Sequence, residues 1–159
     1  IMKKIKNPWL GIEGYNCFGC APHNPSGLQM EFYVDGDDLV SIWNPKDHFQ
    51  SWQNVLHGGI QSAIVDEMAE WVVHYHMKAT CVTSKLEMKF LKSVATNDGA
   101  LTIRGKLSKV MRNVGVVDVT ISNAQGEVCT QGTVYMFSFK NTENTKVIYR
   151  DLELEEEKD

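Results

Sequence analysis

His57-Gly58-Gly59-Ile60-Gln61-Ser62-Ala63-Ile64-Val65-Asp66-Glu67-Met68-Ala69-Glu70-Trp71-Val72-Val73-His74-Tyr75 is the stretch that decides the fold. Ile60, Ile64, Met68, Val72 and Tyr75 recur at helical spacing, and the other faces are also largely apolar until Glu70. The pattern predicts one helix over 58–77. A helix greasy on most sides must be wrapped, and a sheet is the natural wrapper. Two of its features carry chemistry. The glycine pair offers bare backbone N–H groups at the positive end of the helix dipole. Asp66 and Glu67 sit inside an apolar run, where a carboxylate is costly without a partner or a task.

Working outward, Leu28, Met30, Phe32 and Val34 alternate along one strand face, and Asp35-Gly36-Asp37 turns the chain. Leu39 to Trp43 can return as the second strand of a hairpin. Residues 44–56 read as a loop carrying His48, Phe49 and Trp52. Four strand-like runs follow the helix: Cys81–Leu91, Ala100–Val110, Val114–Asn123 and Glu127–Phe139, with turn signals at Asn97-Asp98-Gly99 and Asn123-Ala124-Gln125-Gly126. The sum is an α+β domain over residues 28–140, an antiparallel sheet wrapped around one long central helix. Residues 1–27, punctuated by proline and glycine, read as an irregular segment. Residues 141–159 read as a polar, acidic tail, frayed or weakly helical.

The 159 residues, 43% hydrophobic and 23% charged, suit one globular domain with a real core. A net charge of −4, with only Lys3, Lys4 and Lys6 near one another, argues against nucleic-acid binding. No apolar run approaches a membrane span and no secretory signal precedes the first motif, so the cytoplasm is the expected compartment. Cys17, Cys20, Cys81 and Cys129 do not make a disulfide scaffold. Cys17-Phe18-Gly19-Cys20 with His23 offers up to three soft zinc ligands, but no second cysteine pair completes a set. Glu70 and His74 are an i, i+4 pair without the His-Glu-x-x-His or Glu-x-x-His signature. No metal and no cofactor are therefore expected.

A thioester carbonyl placed at the helix start could be polarised by the N–H of Gly59, with Gly58 helping, because no Cβ obstructs the approach. Asp66 lies seven residues after Gly59, two turns on and on nearly the same face, as a nucleophile or a general base. A thiol departs as thiolate with little acid assistance, so this sparse equipment suits thioester cleavage. The plainer alternative makes Asp66 a loop cap or the partner of a lysine. Glu67, rotated by about 100° from Asp66, reads as a structural or dimer-contact carboxylate, with the catalytic role as the lesser alternative. His57 is expected to position the glycine turn rather than to move a proton.

His57-Gly58-Gly59-Ile60, with Asp66 nine positions after the histidine and then Thr83 and the run Leu86–Leu91, resembles the hotdog-fold acyl thioesterases, most closely their phenylacetate-pathway-like branch. Cys17-Phe18-Gly19-Cys20-Ala21-Pro22-His23-Asn24-Pro25-Ser26-Gly27-Leu28 resembles a segment of many bacterial members, with Ala21 where glycine is usual. The resemblance spans roughly residues 15–139. It implies a hotdog fold dimerising through its sheet, often into tetramers, with the thioester between subunits. It implies Asp66 as nucleophile or base and the Gly59 amide on the carbonyl. Gln50 is implied as the water-orienting residue, with Ser51 or Asn54 as alternatives, and Thr83 as a nearby hydroxyl. Lys109 and Arg112 are candidates for the coenzyme A phosphates. The expected function is acyl-thioester hydrolysis, on acyl-CoA, by a homodimer or dimer of dimers that binds neither nucleic acid nor membrane. A non-catalytic acyl-CoA-binding protein, a hotdog hydratase or dehydratase and, third, a metal-binding protein are the rivals.

Overall fold

The computed structural model describes residues 2–139 and 149–156. Its elements are β1 (Lys3–Lys4), β2 (Tyr33–Asp35), β3 (Asp38–Trp43), α1 (Gly58–Met77), β4 (Thr80–Phe90), β5 (Leu101–Met111), β6 (Val114–Ser122) and β7 (Val128–Phe139). The strands form one antiparallel sheet in the order β1-β2-β3-β5-β6-β7-β4. α1 lies against β3 to β7, and Ile64, Val65, Met68, Ala69, Val72 and Val73 on it are fully buried. The apolar periodicity of 58–77 and the strand runs after it are thus realised as one helix inside a curved sheet.

How closely the sheet curls is set by missing side chains. Leu39, Gly105, Val119, Gly132 and Met88 form one cross-strand row over five strands. A Cβ on Gly105 would stand 2.6 Å from Met68 Cγ, and one on Gly132 would stand 2.5 Å from Val65 Cγ1. Gly115, further along β6, would meet Met77 Sδ at 2.8 Å. The helix therefore rests on bare backbone at three points, on β5, β6 and β7, and a methyl group at any of them must push it outward.

Two stretches depart from the sequence-based expectation. The extended run from Leu28 enters the sheet only at Tyr33. Leu28 and Met30 instead donate their N–H groups to Phe18 O (2.7 Å) and Gly19 O (2.9 Å), and Gln29, at φ 55°, breaks the alternation between them. Burial of Leu28, Met30 and Phe32 is kept, but against the N-terminal segment. The acidic end is neither frayed nor helical over Glu153–Glu155. Glu155 N–H donates to Lys4 O (2.8 Å), Lys6 N–H to Glu153 O (2.7 Å), and Ile5 bridges Leu154. Lys4 and Lys6 face Glu155 and Glu153 at 3.8 and 3.7 Å, so opposite charges line the contact. The remainder of the expected tail, 141–148 and 157–159, lies outside the described residues.

Gly132→Ala is expected to lower the unfolding free energy by about 1–3 kcal/mol through overpacking against Val65, while Gly126→Ala, with nothing within 4 Å but a φ of +82°, acts only through its turn. Urea melts of the two variants check this. If Gly132→Ala unfolds at the wild-type midpoint, the bare-backbone seat of the helix is not tight.

Candidate active site

The helix start is organised by His57. Its side-chain Nδ1 accepts the N–H of Gly59 at 2.8 Å, and its carbonyl accepts the N–H of Gln61 at 3.0 Å. A Cβ on Gly59 would stand 3.0 Å from two atoms of that ring, so any larger residue at 59 crowds the cap. The N–H of Gly58 finds no hydrogen-bond partner among the described residues. It is one of the donors that every helix leaves over at its beginning. Gly58 lines an open groove of about 380 Å³ with Ser51, Leu56, Gln61, Phe90 and Leu91.

The three loop candidates ahead of the helix differ in what they are free to do. Gln50 is exposed, but its Oε1 accepts the N–H of Asn54 at 3.0 Å and so closes the 50–54 turn. Asn54 holds that turn at φ 61° and takes the N–H of Thr96 on its carbonyl. Ser51 borders the groove. Of the loop aromatics, Phe49 is buried against Trp43, whereas Trp52 is 83% exposed.

Asp66 is half-buried and accepts the hydroxyl of Thr83 at 2.5 Å. Thr83 stands at the β-bulge of β4, between Thr83 and Lys85. Bulges re-aim side chains, and this one lies where the strand passes the helix carboxylate. Asp66 and the glycine amides do not converge within the chain. Seven residues of helix separate Gly59 and Asp66 by roughly 10 Å along the axis, whereas one reacting carbonyl needs both within about 3 Å. Angular position agrees and axial position does not. Both nevertheless lie beside β4, for Gly58 faces the Phe90 ring at its far end.

Among the described residues β4 is paired only with β7, and its other edge carries no strand along eleven residues. Val82, Phe90 and Leu91 are each 54% exposed there. A long, exposed, partly apolar edge is a template for another strand. Lys109 and Arg112 lie elsewhere. Arg112 is in the β5–β6 turn at φ 55°, next to Asn113, whose carbonyl accepts Ser138 N–H at 2.6 Å, and Ser138 pairs with Cys81. That turn is at the C-terminal end of α1, the end opposite to Gly58.

Glu67 points away from this region, beneath the N-terminal segment. It accepts the Trp71 indole N–H at 3.0 Å and the Cys17 thiol at 3.6 Å, and burial pushes its carboxyl above the usual range. Sequence reasoning did not anticipate this contact with the cysteine pair. The signal was the adjacency of two carboxylates, which a helix must send in different directions. His23 turns from the cysteines, its Nε2 lying 2.7 Å from Tyr15 O. His74 is occupied by the Arg150 carbonyl (2.5 Å) and stacks on Tyr149 instead of joining Glu70. A further cavity of about 350 Å³, lined by Lys4, Ile5, Met30, Phe32 and Trp71 among others, touches neither Asp66 nor Gly58. Among the described residues no helix is long and apolar enough to cross a membrane.

Comparison with known proteins bears on this geometry. Residues 53–130 match the family model of the thioesterase superfamily. AziG from S. sahachiroi is similar in structure, with TM-score 0.66 and 22% identity over 72% of this chain and 94% of that one. A thioesterase from Haemophilus influenzae has TM-score 0.66 and 19% identity over 74% and 82%. A hypothetical thioesterase from Streptococcus pneumoniae, solved with coenzyme A, has TM-score 0.61 and 25% identity over 65% and 79%. That pneumococcal protein has also been solved with an aspartate, and separately with a threonine, replaced by alanine. No curated protein matches the chain. An antiparallel sheet around one long helix, in this company, is the hotdog fold, and residues 53–130 of it carry the pattern of the thioesterase superfamily.

Proposed function

We propose that two copies of the chain pair antiparallel along β4 and hydrolyse acyl thioesters, with coenzyme A as the carrier, at sites shared between the copies. The observation that carries this reading is the arrangement beside β4: an unpartnered helix amide at one end, and a carboxylate–hydroxyl pair at the bulge, both next to an open edge. Antiparallel pairing of identical strands lays the Thr80 end of one copy beside the Phe90 end of the other. The helix start of one copy then faces Asp66 and Thr83 of the other, which removes the roughly 10 Å gap found within a single chain. The same pairing carries the second copy's Lys109 and Arg112 toward the first copy's helix start, where coenzyme A phosphates would need cations. The resemblance to the phenylacetate-pathway-like branch, the coenzyme A held by the pneumococcal protein and the aspartate and threonine chosen for replacement there support this assignment.

In the reaction, the thioester oxygen takes the free N–H of Gly58, and that of Gly59 once it exchanges His57 Nδ1 for the substrate. Hydrogen bonds aimed where negative charge develops are worth most in such a site. Asp66 either accepts a proton from water as the water oxygen bonds to carbon, or attacks the carbon itself to give an anhydride that water opens. In both routes the C–S bond breaks, the thiolate leaves, and the products are a carboxylic acid and a thiol. Thr83 holds Asp66 by a donated hydrogen bond. Ser51 is the best placed of the loop residues to orient water, because it alone of the three borders the groove beside Gly58 and its hydroxyl is held only at 3.5 Å, by Val55 O. The enzyme works in the cytoplasm, as a dimer or dimer of dimers.

Asp66→Ala should lower kcat for thiol release from acyl-CoAs by about 10²–10⁴. Gly58→Pro removes a single N–H while keeping a residue that the first helical position accepts, and should also be nearly inactive. Mixing the two inactive variants under subunit exchange should restore turnover, because each mixed dimer holds one intact site. Failure of the mixture, with dimers present, would place the whole site in one chain, and acyl-CoA binding without thiol release by the wild type would sink hydrolysis itself. His57→Ala should cost about 1 kcal/mol in a denaturant melt, as the loss of a helix cap does, while His57→Asn retains most stability.

A further inference from the structure

We propose that Cys17, Cys20 and Glu67 form a zinc site that fastens the N-terminal segment to α1. The two thiols and the carboxylate come from segments 47 or more residues apart, yet their ligand atoms all lie within 4.8 Å of one another. Zinc bonded at about 2.3 Å to sulfur and about 2.1 Å to a carboxylate oxygen, with a tetrahedral angle, holds those two atoms roughly 3.6 Å apart. Cys17 Sγ and Glu67 Oε1 are 3.6 Å apart. That pair thus already has the spacing that such an ion requires, and Cys20 Sγ lies within 4.8 Å of both.

The backbone around the cysteines supports the same use. Ala21 N–H donates to Cys17 O at 3.1 Å, closing a turn that brings the second cysteine back toward the first. Glu67 is pressed onto this turn: a Cβ on Gly19 would stand 2.2 Å from its carboxyl carbon. Only a glycine admits the carboxylate so close to the two thiols.

Charge makes the third argument. Glu67 is 8% exposed, and among the described residues no lysine, arginine or histidine pairs with it. Its partners are the Trp71 indole N–H and the Cys17 thiol. A buried carboxylate without a cation is expensive, and a divalent ion supplies the missing charge. Two sulfurs select zinc over calcium or magnesium. The fourth position opens on a cavity of about 150 Å³ that Cys17, Cys20 and Glu67 border with Trp9, Tyr15, Trp71 and others, and water can fill it. Binding forms two Zn–S bonds and one Zn–O bond and releases the thiol protons to solvent, with no change of oxidation state. Cys81 borders the same cavity but directs its thiol to Glu70 O at 3.9 Å, outside the set. Sequence spacing alone pointed to His23 as the third ligand, and the helix supplies Glu67 instead.

The test uses the full chain, purified without chelators from zinc-supplemented cells, with metal measured by elemental mass spectrometry. Wild type and Cys81→Ser should each carry one zinc per chain, and Cys17→Ser and Cys20→Ser should lose it. Cobalt(II) added to metal-free wild type should give thiolate-to-cobalt charge-transfer absorption, and Glu67→Gln should keep that absorption while binding at least tenfold more weakly. Should the cysteine variants fail to fold, wild type suffices: chelation should speed alkylation of Cys17 and Cys20 and lower Tm. Wild type that takes up neither zinc nor cobalt overturns the proposal. So does a Cys17–Cys20 disulfide, seen as a mass loss of two hydrogens, whose reduced form still binds no metal. Zinc retained at wild-type level in folded Cys17→Ser also overturns it.

Discussion

Contact between α1 and bare sheet backbone at Gly105, Gly115 and Gly132 governs the rest of the molecule. A helix seated on three glycines can neither slide nor roll without driving Val65, Met68 or Met77 into main-chain atoms. Its rotation about its own axis is therefore fixed, and with it the directions of adjacent residues. Asp66 is sent to the open edge at β4, and Glu67, about 100° away, to the underside of the N-terminal segment. Two carboxylates next to each other in sequence thus serve two regions with opposite character, one accessible and one closed.

The helix start shows a competition for the same donors. A cap stabilises the first turn by satisfying leftover amides, and an oxyanion site needs those amides available. Here His57 satisfies Gly59 and leaves Gly58. The cap is a side chain and not main chain, so in the site proposed above the helix stays capped until a substrate oxygen takes the place of His57 Nδ1. The buried Gln61 beside it, bonded to Leu56 O and Thr130 Oγ1, fixes the floor of the groove that Gly58 borders.

The fold was largely legible in the sequence because its signals are local. Apolar spacing over 58–77 needs only the helix repeat, and the strands after it need only alternation and turn residues. Leu28 to Phe32 was misread because alternation reports burial, not the identity of the partner, and the partner proved to be the carbonyls of Phe18 and Gly19. The acidic end was misread because its pairing with Lys4 and Lys6 is a contact between the two ends of the described chain, which no local pattern encodes. At the site, residue types were readable but their convergence was not. Periodicity placed Asp66 and Gly59 at the same angle, and seven residues of rise then kept them apart. Thr83 could be suspected only from resemblance, since its approach to Asp66 depends on the bulge in β4.

The strip Glu153–Glu155 laid on β1 gives the sheet an asymmetric valence. One border is closed by the chain itself, with glutamates outermost on a strip only three residues long, and among the described residues the border formed by β4 is left unsatisfied. A sheet with a single unsatisfied border can add one copy of itself and then has nothing further to offer, so growth stops at a closed pair instead of running on into a fibre. Loss of the acidic strip would make the sheet divalent, and aggregation, not misfolding, is the failure that such a truncation invites.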